Sequence, residues 1–127
     1  MRRLHSSKGP DLCERTFQFG VRITKMVRRL PRDVAGHEIG RQVLRSGTSV
    51  GANTEEADAA ESTVDFVHKL KIALKEAQET RFWLRNIRES GLLVEKEVSD
   101  LFQECVELIK ILNTIITITA KKMNEDK

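Results

Sequence analysis

The sequence predicts an all-α protein that folds as an antiparallel, up-down-up-down four-helix bundle. Apolar residues recur at intervals of three and four along four segments, and no segment alternates polar and apolar residues as a half-buried strand does. The connections between the segments are about two to four residues long, which forces consecutive helices to lie antiparallel and side by side. A chain of 127 residues of this kind is expected to form one domain.

Capping residues and a helix breaker place the first two helices. Asp11, followed three residues later by Glu14, resembles a capping box and begins the first helix. Pro31 is expected to end that helix after Leu30. Asp33 can cap the second helix, which is predicted to run to about residue 60.

The third and fourth helices are placed in the same way. Ser62 with Asp65 begins the third helix, and Gly91 ends it. The fourth helix is predicted to run from about Val94 to Lys122. These bounds predict a basic N-terminal arm at residues 1–10, a bundle at residues 11–122 and a polar C-terminal tail at residues 123–127.

The second helix contains a stretch of poor helix formers, RSGTSVGANTEEADAA, at residues 45–60. Gly and Asn each cost a helix interior roughly 0.7 to 1 kcal/mol relative to Ala. On a helical wheel, Ser46 and Asn53 fall on the same face as Ile39 and Val43, so the core seam is built of small and polar residues. We therefore expect a neighbouring helix to approach closely, so that packing compensates for weak propensity.

A polar network is predicted between the second and third helices. Because these helices meet in a tight turn, residues whose numbers sum to about 124 should lie level, which places Arg45 beside Glu79 and Ser49 beside Glu76. Guanidinium donors and carboxylate acceptors suit a charge-assisted network. We interpret the network as structural, fixing helix register; its predicted members are Gln42, Arg45, Ser49, Asn53, Glu56, Glu76 and Glu79.

The runs QVLRSGTSVGANTEEA and DFVHKLKIALKEAQETRFWL resemble the four-helix bundle proteins encoded in intervening sequences of bacterial 23S ribosomal RNA genes. Ala57 and Thr54 depart from the family pattern, which often has glycine and an aliphatic residue there. The matching residues are Gln42, Arg45, Ser46, Ser49, Asn53 and Glu56 in the second helix and Phe66, Ala73, Glu76, Glu79, Trp83 and Leu84 in the third. The resemblance implies a homo-oligomer, typically a pentameric ring, without established catalytic activity. A bundle of similar fold, the accessory protein of diversity-generating retroelements, engages a reverse transcriptase and nucleic acid.

Composition and motifs exclude several classes of protein. No run approaches 18 apolar residues and the basic start lacks an apolar segment, so we predict a cytoplasmic protein that makes no membrane contact. Cys13 and Cys105 are too few for a disulfide scaffold and are expected to be reduced. The chain has only Asp65-x-x-His68 of the motifs that a di-iron bundle needs, and no P-loop. No enzyme activity, metal or cofactor is therefore predicted.

The charge distribution suggests an anionic partner. Residues 1–50 carry 11 Lys/Arg and 4 Asp/Glu, whereas residues 51–127 carry 11 and 15. A basic stripe on the first helix and just beyond it is either a solvated surface or a binding site for RNA phosphates. Because aromatic residues make up 5% of the chain and tyrosine is absent, little base stacking is expected. The stripe consists of Arg15, Arg22, Lys25, Arg29 and Arg32. A rival hypothesis is a scaffold or adaptor that recruits a protein partner, such as a reverse transcriptase or another acidic protein, through the same surface.

The fourth helix has a wide apolar arc. Phe102, Ile109 and Ile116 extend it to about half of the helical wheel, which is more than a helix on the outside of a small bundle usually needs. We expect a monomer to expose these three side chains, and we predict that they form the contact between subunits of a homo-oligomer.

Overall fold

The computed structural model describes Leu4 and residues 11–126, and in this part of the chain it contains four α-helices. These are α1 (Leu12–Val27), α2 (Val34–Asp58), α3 (Thr63–Ser90) and α4 (Lys96–Glu125). Each helix packs against the next, and α4 also lies beside α1. The predicted all-α, up-down-up-down four-helix bundle is therefore confirmed.

The helix ends follow the local signals in the sequence. Asp11, Asp33 and Ser62 are the N-caps of α1, α2 and α3, and each side chain accepts a hydrogen bond from the backbone N–H three residues later. Such a bond satisfies one of the amide groups that the first turn of a helix leaves unpaired. Gly91 follows α3 with a φ of 72°, a left-handed conformation that glycine adopts without strain.

Two helix ends differ from the prediction by three residues, and the end of α2 and the start of α4 differ by two. α1 ends at Val27 rather than Leu30, because the turn that leads to Pro31 begins a few residues before it. α4 continues past Lys122 to Glu125, into the predicted tail, since no glycine or proline interrupts it. Helix bounds of this kind are the least certain part of a sequence-based assignment.

The predicted N-terminal arm lies outside the described residues, with the exception of Leu4. This leucine is buried against the core, and its N–H donates a 3.0 Å hydrogen bond to Oδ1 of Asp58 at the end of α2. Its carbonyl oxygen accepts a 3.2 Å bond from the amide of Leu12. The chain at this position is thus attached to the bundle rather than extending away from it.

The glycine-rich stretch of α2 packs against α1. A Cβ atom at Gly47 would lie 2.9 Å from two side-chain carbons of Ile23, and one at Gly51 would lie 3.1 Å from the carbonyl oxygen of Thr16. Glycine fits at both positions without a shift of α1, whereas a side chain would require α1 to move. The expected close packing of a neighbouring helix is confirmed, and that helix is α1.

The apolar arc of α4 is largely covered within the chain, so the expectation that a monomer exposes it was wrong. Ile109 and Ile116 are only 7% and 8% exposed in the single chain. Phe102 is partly buried, with the guanidinium of Arg88 lying 4.5 Å from its ring centroid. Because α4 packs against helices on two sides, α3 and α1, a wide apolar stripe is needed for the fold itself.

Both cysteines are buried thiols. The thiol of Cys105 donates a 3.1 Å hydrogen bond to the carbonyl oxygen of Ala77, and burial raises its pKa to about 12. Within the described residues, no helix is long and apolar enough to span a bilayer. The same part of the chain holds no group of three or more side chains placed to bind a metal ion.

Candidate functional site

Two arginines of the predicted basic stripe are bound by glutamates of α4. Arg15 donates two hydrogen bonds of 2.8 Å to the carboxylate of Glu104. Arg22 donates bonds of 3.2 and 2.9 Å to the carboxylate of Glu97. In each pair two N–H groups meet two carboxylate oxygens, the geometry in which arginine binds a carboxylate most strongly.

The rest of the stripe divides into one paired and two solvent-exposed cations. Nε of Arg29 donates a 2.9 Å hydrogen bond to Glu95, and another of its nitrogens donates to the carbonyl oxygen of Lys25. The side chains of Lys25 and Arg32 are exposed and form no ion pair with another described residue. The structure therefore leaves two of the five predicted cations available to an external anion.

The pairing changes the electrostatics of the α1 surface. The hydrogen bonds from Arg22 lower the pKa of Glu97 below its ordinary value, and the nearby charge of Arg29 adds to this effect. Glu97 is thus ionised at neutral pH and offsets the arginine beside it. A phosphate that approaches α1 would meet carboxylates as well as guanidinium groups.

A longer row of unpaired positive charge lies on the solvent-facing side of α3. Five exposed cations follow this side over about 25 Å, at 1.5 Å per residue. In the described part of the chain, only Arg88 has a carboxylate partner, Glu89 at 3.4 Å. We call this surface the α3 basic face; it consists of Lys71, Lys75, Arg81, Arg85 and Arg88.

Two phenylalanines lie beside the arginines of the α3 basic face. A groove of about 410 Å³ separates α3 from α4, and three arginines line it together with Gln78, Phe82, Phe102 and Val106. The ring of Phe82 is 60% exposed and meets the neighbouring Trp83 ring edge-on, with centroids 4.9 Å apart. The low aromatic content suggested little capacity for stacking, but two of the five phenylalanines line this groove.

Part of the predicted polar network between α2 and α3 is present. Arg45 donates hydrogen bonds of 2.7 Å to Glu76 and 2.5 Å to Glu79. Its side chain is 51% exposed, so solvent screens these ion pairs. The rule that residues of α2 and α3 lie level when their numbers sum to about 124, which we call the level relation, predicted that Arg45 lies beside Glu79.

The other members do not join that cluster. The side chains of Ser49 and Asn53 donate to backbone carbonyl oxygens one turn earlier in α2 rather than across to α3. Glu56 accepts a separate 3.1 Å bond from Lys69. No hydrogen bond links Gln42 to another side chain among the described residues. Serine and asparagine satisfy nearby carbonyls readily within a helix, which explains why the seven residues form no single network.

The similarity of this chain to known proteins decides its family. A model of the 23S rRNA-intervening sequence protein family matches residues 10–114. The chain belongs to the 23S rRNA-intervening sequence protein family. A solved structure similar to this family member is that of a protein of unknown function from the S23 ribosomal protein family of Bacteroides thetaiotaomicron. The two chains are 36% identical, with a TM-score of 0.76 over 82% of this chain and 96% of that one. No curated protein matches the sequence.

Sequence reasoning missed a buried hydroxyl pair in this 23S rRNA-intervening sequence protein. The Thr80 hydroxyl on α3 lies 2.8 Å from the Ser46 hydroxyl on α2, and both residues are fully buried. Their numbers nearly satisfy the level relation that placed Arg45 beside Glu79, so a signal was present.

Sequence reasoning also missed the α3 basic face. Its cations are spread over 18 positions within residues 51–127, a part of the chain whose total charge is negative. The structure separates them from the carboxylates of that segment, because Glu76, Glu79, Glu97 and Glu104 point to arginines of α2 and α1. A charge count along the chain cannot reveal this division.

Proposed function

We propose that the protein is a non-enzymatic, RNA-associated helical bundle that binds RNA phosphates through the α3 basic face. The observation that supports this proposal is the difference in ion pairing between two surfaces. Arg15, Arg22 and Arg29 are each hydrogen-bonded to a glutamate, whereas four of the five cations of the α3 basic face have no carboxylate partner among the described residues.

The difference matters because a phosphate must compete with any carboxylate already in place. If Arg22 turned to a phosphate, it would exchange one charge-assisted hydrogen bond for another and leave Glu97 unpaired beside the bound anion. An unpaired arginine such as Arg85 gives up only bound water when it contacts a phosphate. At the same time the RNA releases counterions that had condensed on it. Binding at the α3 basic face is therefore favoured over binding at α1.

The choice of RNA among polyanions is supported by the family. The family description names the 23S rRNA-intervening sequence, and the similar Bacteroides protein is described as a member of the S23 ribosomal protein family. Arginine and lysine side chains directed at phosphates position a protein on RNA without reading its sequence. We accordingly expect weak dependence on RNA sequence and strong dependence on salt.

The test is a titration of labelled 23S rRNA fragments at several salt concentrations. The wild type is compared with a variant that carries Arg81→Gln and Arg85→Gln and with a control that carries Arg28→Gln and Arg41→Gln. The control loses the same charge from exposed arginines at the connection between α1 and α2. Each lost phosphate contact flattens the slope of log affinity against log salt by about 0.7 to 0.9.

We expect the α3 variant to bind more weakly with a flatter slope and the control to behave as the wild type. Equal weakening of both variants would overturn the proposed site, since only total charge would then matter. An adaptor that recruits an acidic protein, such as a reverse transcriptase, through the same face gives a different result: no saturable RNA binding at about 0.15 M salt.

We further propose that the protein is a homo-oligomer, as its family resemblance implies. Ile109 and Ile116 are poor candidates for the contact, because both are buried in the single chain. An apolar groove between α1 and α2, lined by Phe17, Val21 and Ala52, is a better candidate. Phe17 is 56% exposed there. Light scattering coupled to gel filtration would contradict self-association if it gave a mass of 14.5 kDa at micromolar concentration.

A further inference from the structure

Phe82 occupies an unusual position for a large apolar side chain. It is 60% exposed, and it lies in the row of cations between Lys75 and Arg85 rather than in the core. Its edge-to-face contact with Trp83, at an interplanar angle of 80°, favours one orientation of the ring. Most of the ring surface is therefore open to solvent, next to the arginines that line the groove.

The two phenylalanines of the groove differ in what covers them. The ring of Phe102 already has a guanidinium group over it, that of Arg88, at 4.5 Å from the centroid. In the described part of the chain, no cation covers Phe82 in this way. Of the two phenylalanine rings in the groove, that of Phe82 is therefore the one open to a ligand. Arg81 precedes it and Arg85 follows it along α3.

We propose that the α3 basic face binds single-stranded RNA, with an unpaired base stacked on Phe82 and the adjacent phosphates held by Arg81 and Arg85. This inference rests on the proposed function, because it takes the same surface as the RNA site. Base stacking on an aromatic side chain beside a basic groove is the general means by which proteins hold single strands. Neither feature alone would identify the ligand, but here they occur within one groove.

A duplex fits the same groove less well. In double-stranded RNA each base is stacked on its neighbours, so a ring on a helix surface can reach a base only if the stack is opened. The phosphates of a duplex would still attract the arginines, but Phe82 would stay exposed to water or be pressed against the backbone. Loops, bulges and single-stranded ends supply bases at no such cost. We therefore expect a preference for unpaired RNA.

The experiment measures fluorescence anisotropy with three labelled RNAs of equal length: a single strand, its duplex, and the same single strand with abasic sites. The abasic strand keeps the backbone phosphates and lacks bases. The proteins are the wild type, Phe82→Ala, and the control Ile118→Ala. Ile118 is 51% exposed and lies on α4, away from the α3 basic face and from the proposed subunit contact. Both substitutions replace an exposed residue with a good helix former, and circular dichroism verifies the fold.

For the wild type we expect the single strand to bind more tightly than the duplex or the abasic strand. Phe82→Ala should weaken binding of the single strand by about 5- to 150-fold, the loss that corresponds to one stacked base. Its affinity for the abasic strand should not change. Ile118→Ala should bind all three RNAs as the wild type does.

The outcomes separate this inference from the proposed function. Equal affinity for the three RNAs, or unchanged binding of the single strand by Phe82→Ala, would overturn stacking. If that binding still required Arg81 and Arg85, the proposed function would stand. No saturable binding of any RNA would overturn both. Binding of polyglutamate in preference to RNA would assign the groove to an acidic protein instead.

Discussion

Replacing Gly51 with alanine should leave the bundle less stable than the same replacement at Gly20, which should stabilise it. A Cβ atom at Gly51 would lie 3.1 Å from the carbonyl oxygen of Thr16 and 3.3 Å from the amide nitrogen of Phe17, so the backbone of α1 must move. At Gly20 the nearest neighbour of the new atom would be Cα of Thr48 at 3.6 Å, an ordinary van der Waals contact.

The two substitutions share one energetic effect and differ in the other. Each gains about 1 kcal/mol because alanine is a better helix former than glycine. Only Gly51→Ala adds the cost of overpacking, about 1 to 3 kcal/mol. The free energies of unfolding of the two variants should therefore differ by about 1 to 3 kcal/mol, with Gly20→Ala the more stable.

Urea unfolding followed by circular dichroism measures this difference. Similar slopes of free energy against urea in both variants would show that the native packing, rather than the unfolded state, has changed. If Gly51→Ala were as stable as Gly20→Ala, the close approach of α1 to α2 would not be the reason for glycine at this position. The account of the glycine-rich stretch would then be refuted.

Three further predictions concern ion pairs and thiols. A double-mutant cycle between Arg22 and Glu97 should give a coupling of about 0.5 to 1 kcal/mol at neutral pH. The pKa of Glu97 in the folded state is lowered from 4.5. The stability that the pair contributes is therefore present above pH 4.5 and should be lost as the pH falls through the lowered pKa. A coupling that does not change with pH would be inconsistent with the pairing. Arg45→Ala should reduce the free energy of unfolding by at most about 1 kcal/mol, since the side chain is half exposed, and calorimetry that finds a much larger loss would mean that the pair is buried. Cys13 and Cys105 should resist a thiol reagent in the native protein and react after denaturation, because both are buried and the pKa of Cys105 is raised to about 12; rapid native labelling would argue against their burial.

The fold could be predicted because its signals are local. Capping side chains such as Asp33 and Ser62, the breaker Pro31 and the terminal Gly91 each act within a few residues, and short connections then fix the topology. The end of α1 was less predictable, because the residues before a proline can leave the helix at any of several positions.

The candidate site was predicted less well because it depends on which helix faces which. The level relation was applied across the tight turn between α2 and α3, where it placed Arg45 beside Glu79. The same relation holds between α1 and α4: the numbers of Arg15 and Glu104 add to the same total as those of Arg22 and Glu97. No direct connection joins these two helices, so their register could not be read from a loop.

The central claim is that RNA binds to the unpaired cations of α3 and not to the paired arginines of α1. The most direct test compares two variants that lose equal charge, one with Arg22→Gln and Arg29→Gln and the other with Arg81→Gln and Arg85→Gln. Both are titrated with the same single-stranded RNA at the same salt concentration. The account predicts that the α1 variant binds as the wild type does and that the α3 variant binds more weakly, with a salt slope flatter by about 1.4 to 1.8. A weaker α1 variant beside an unchanged α3 variant would contradict it.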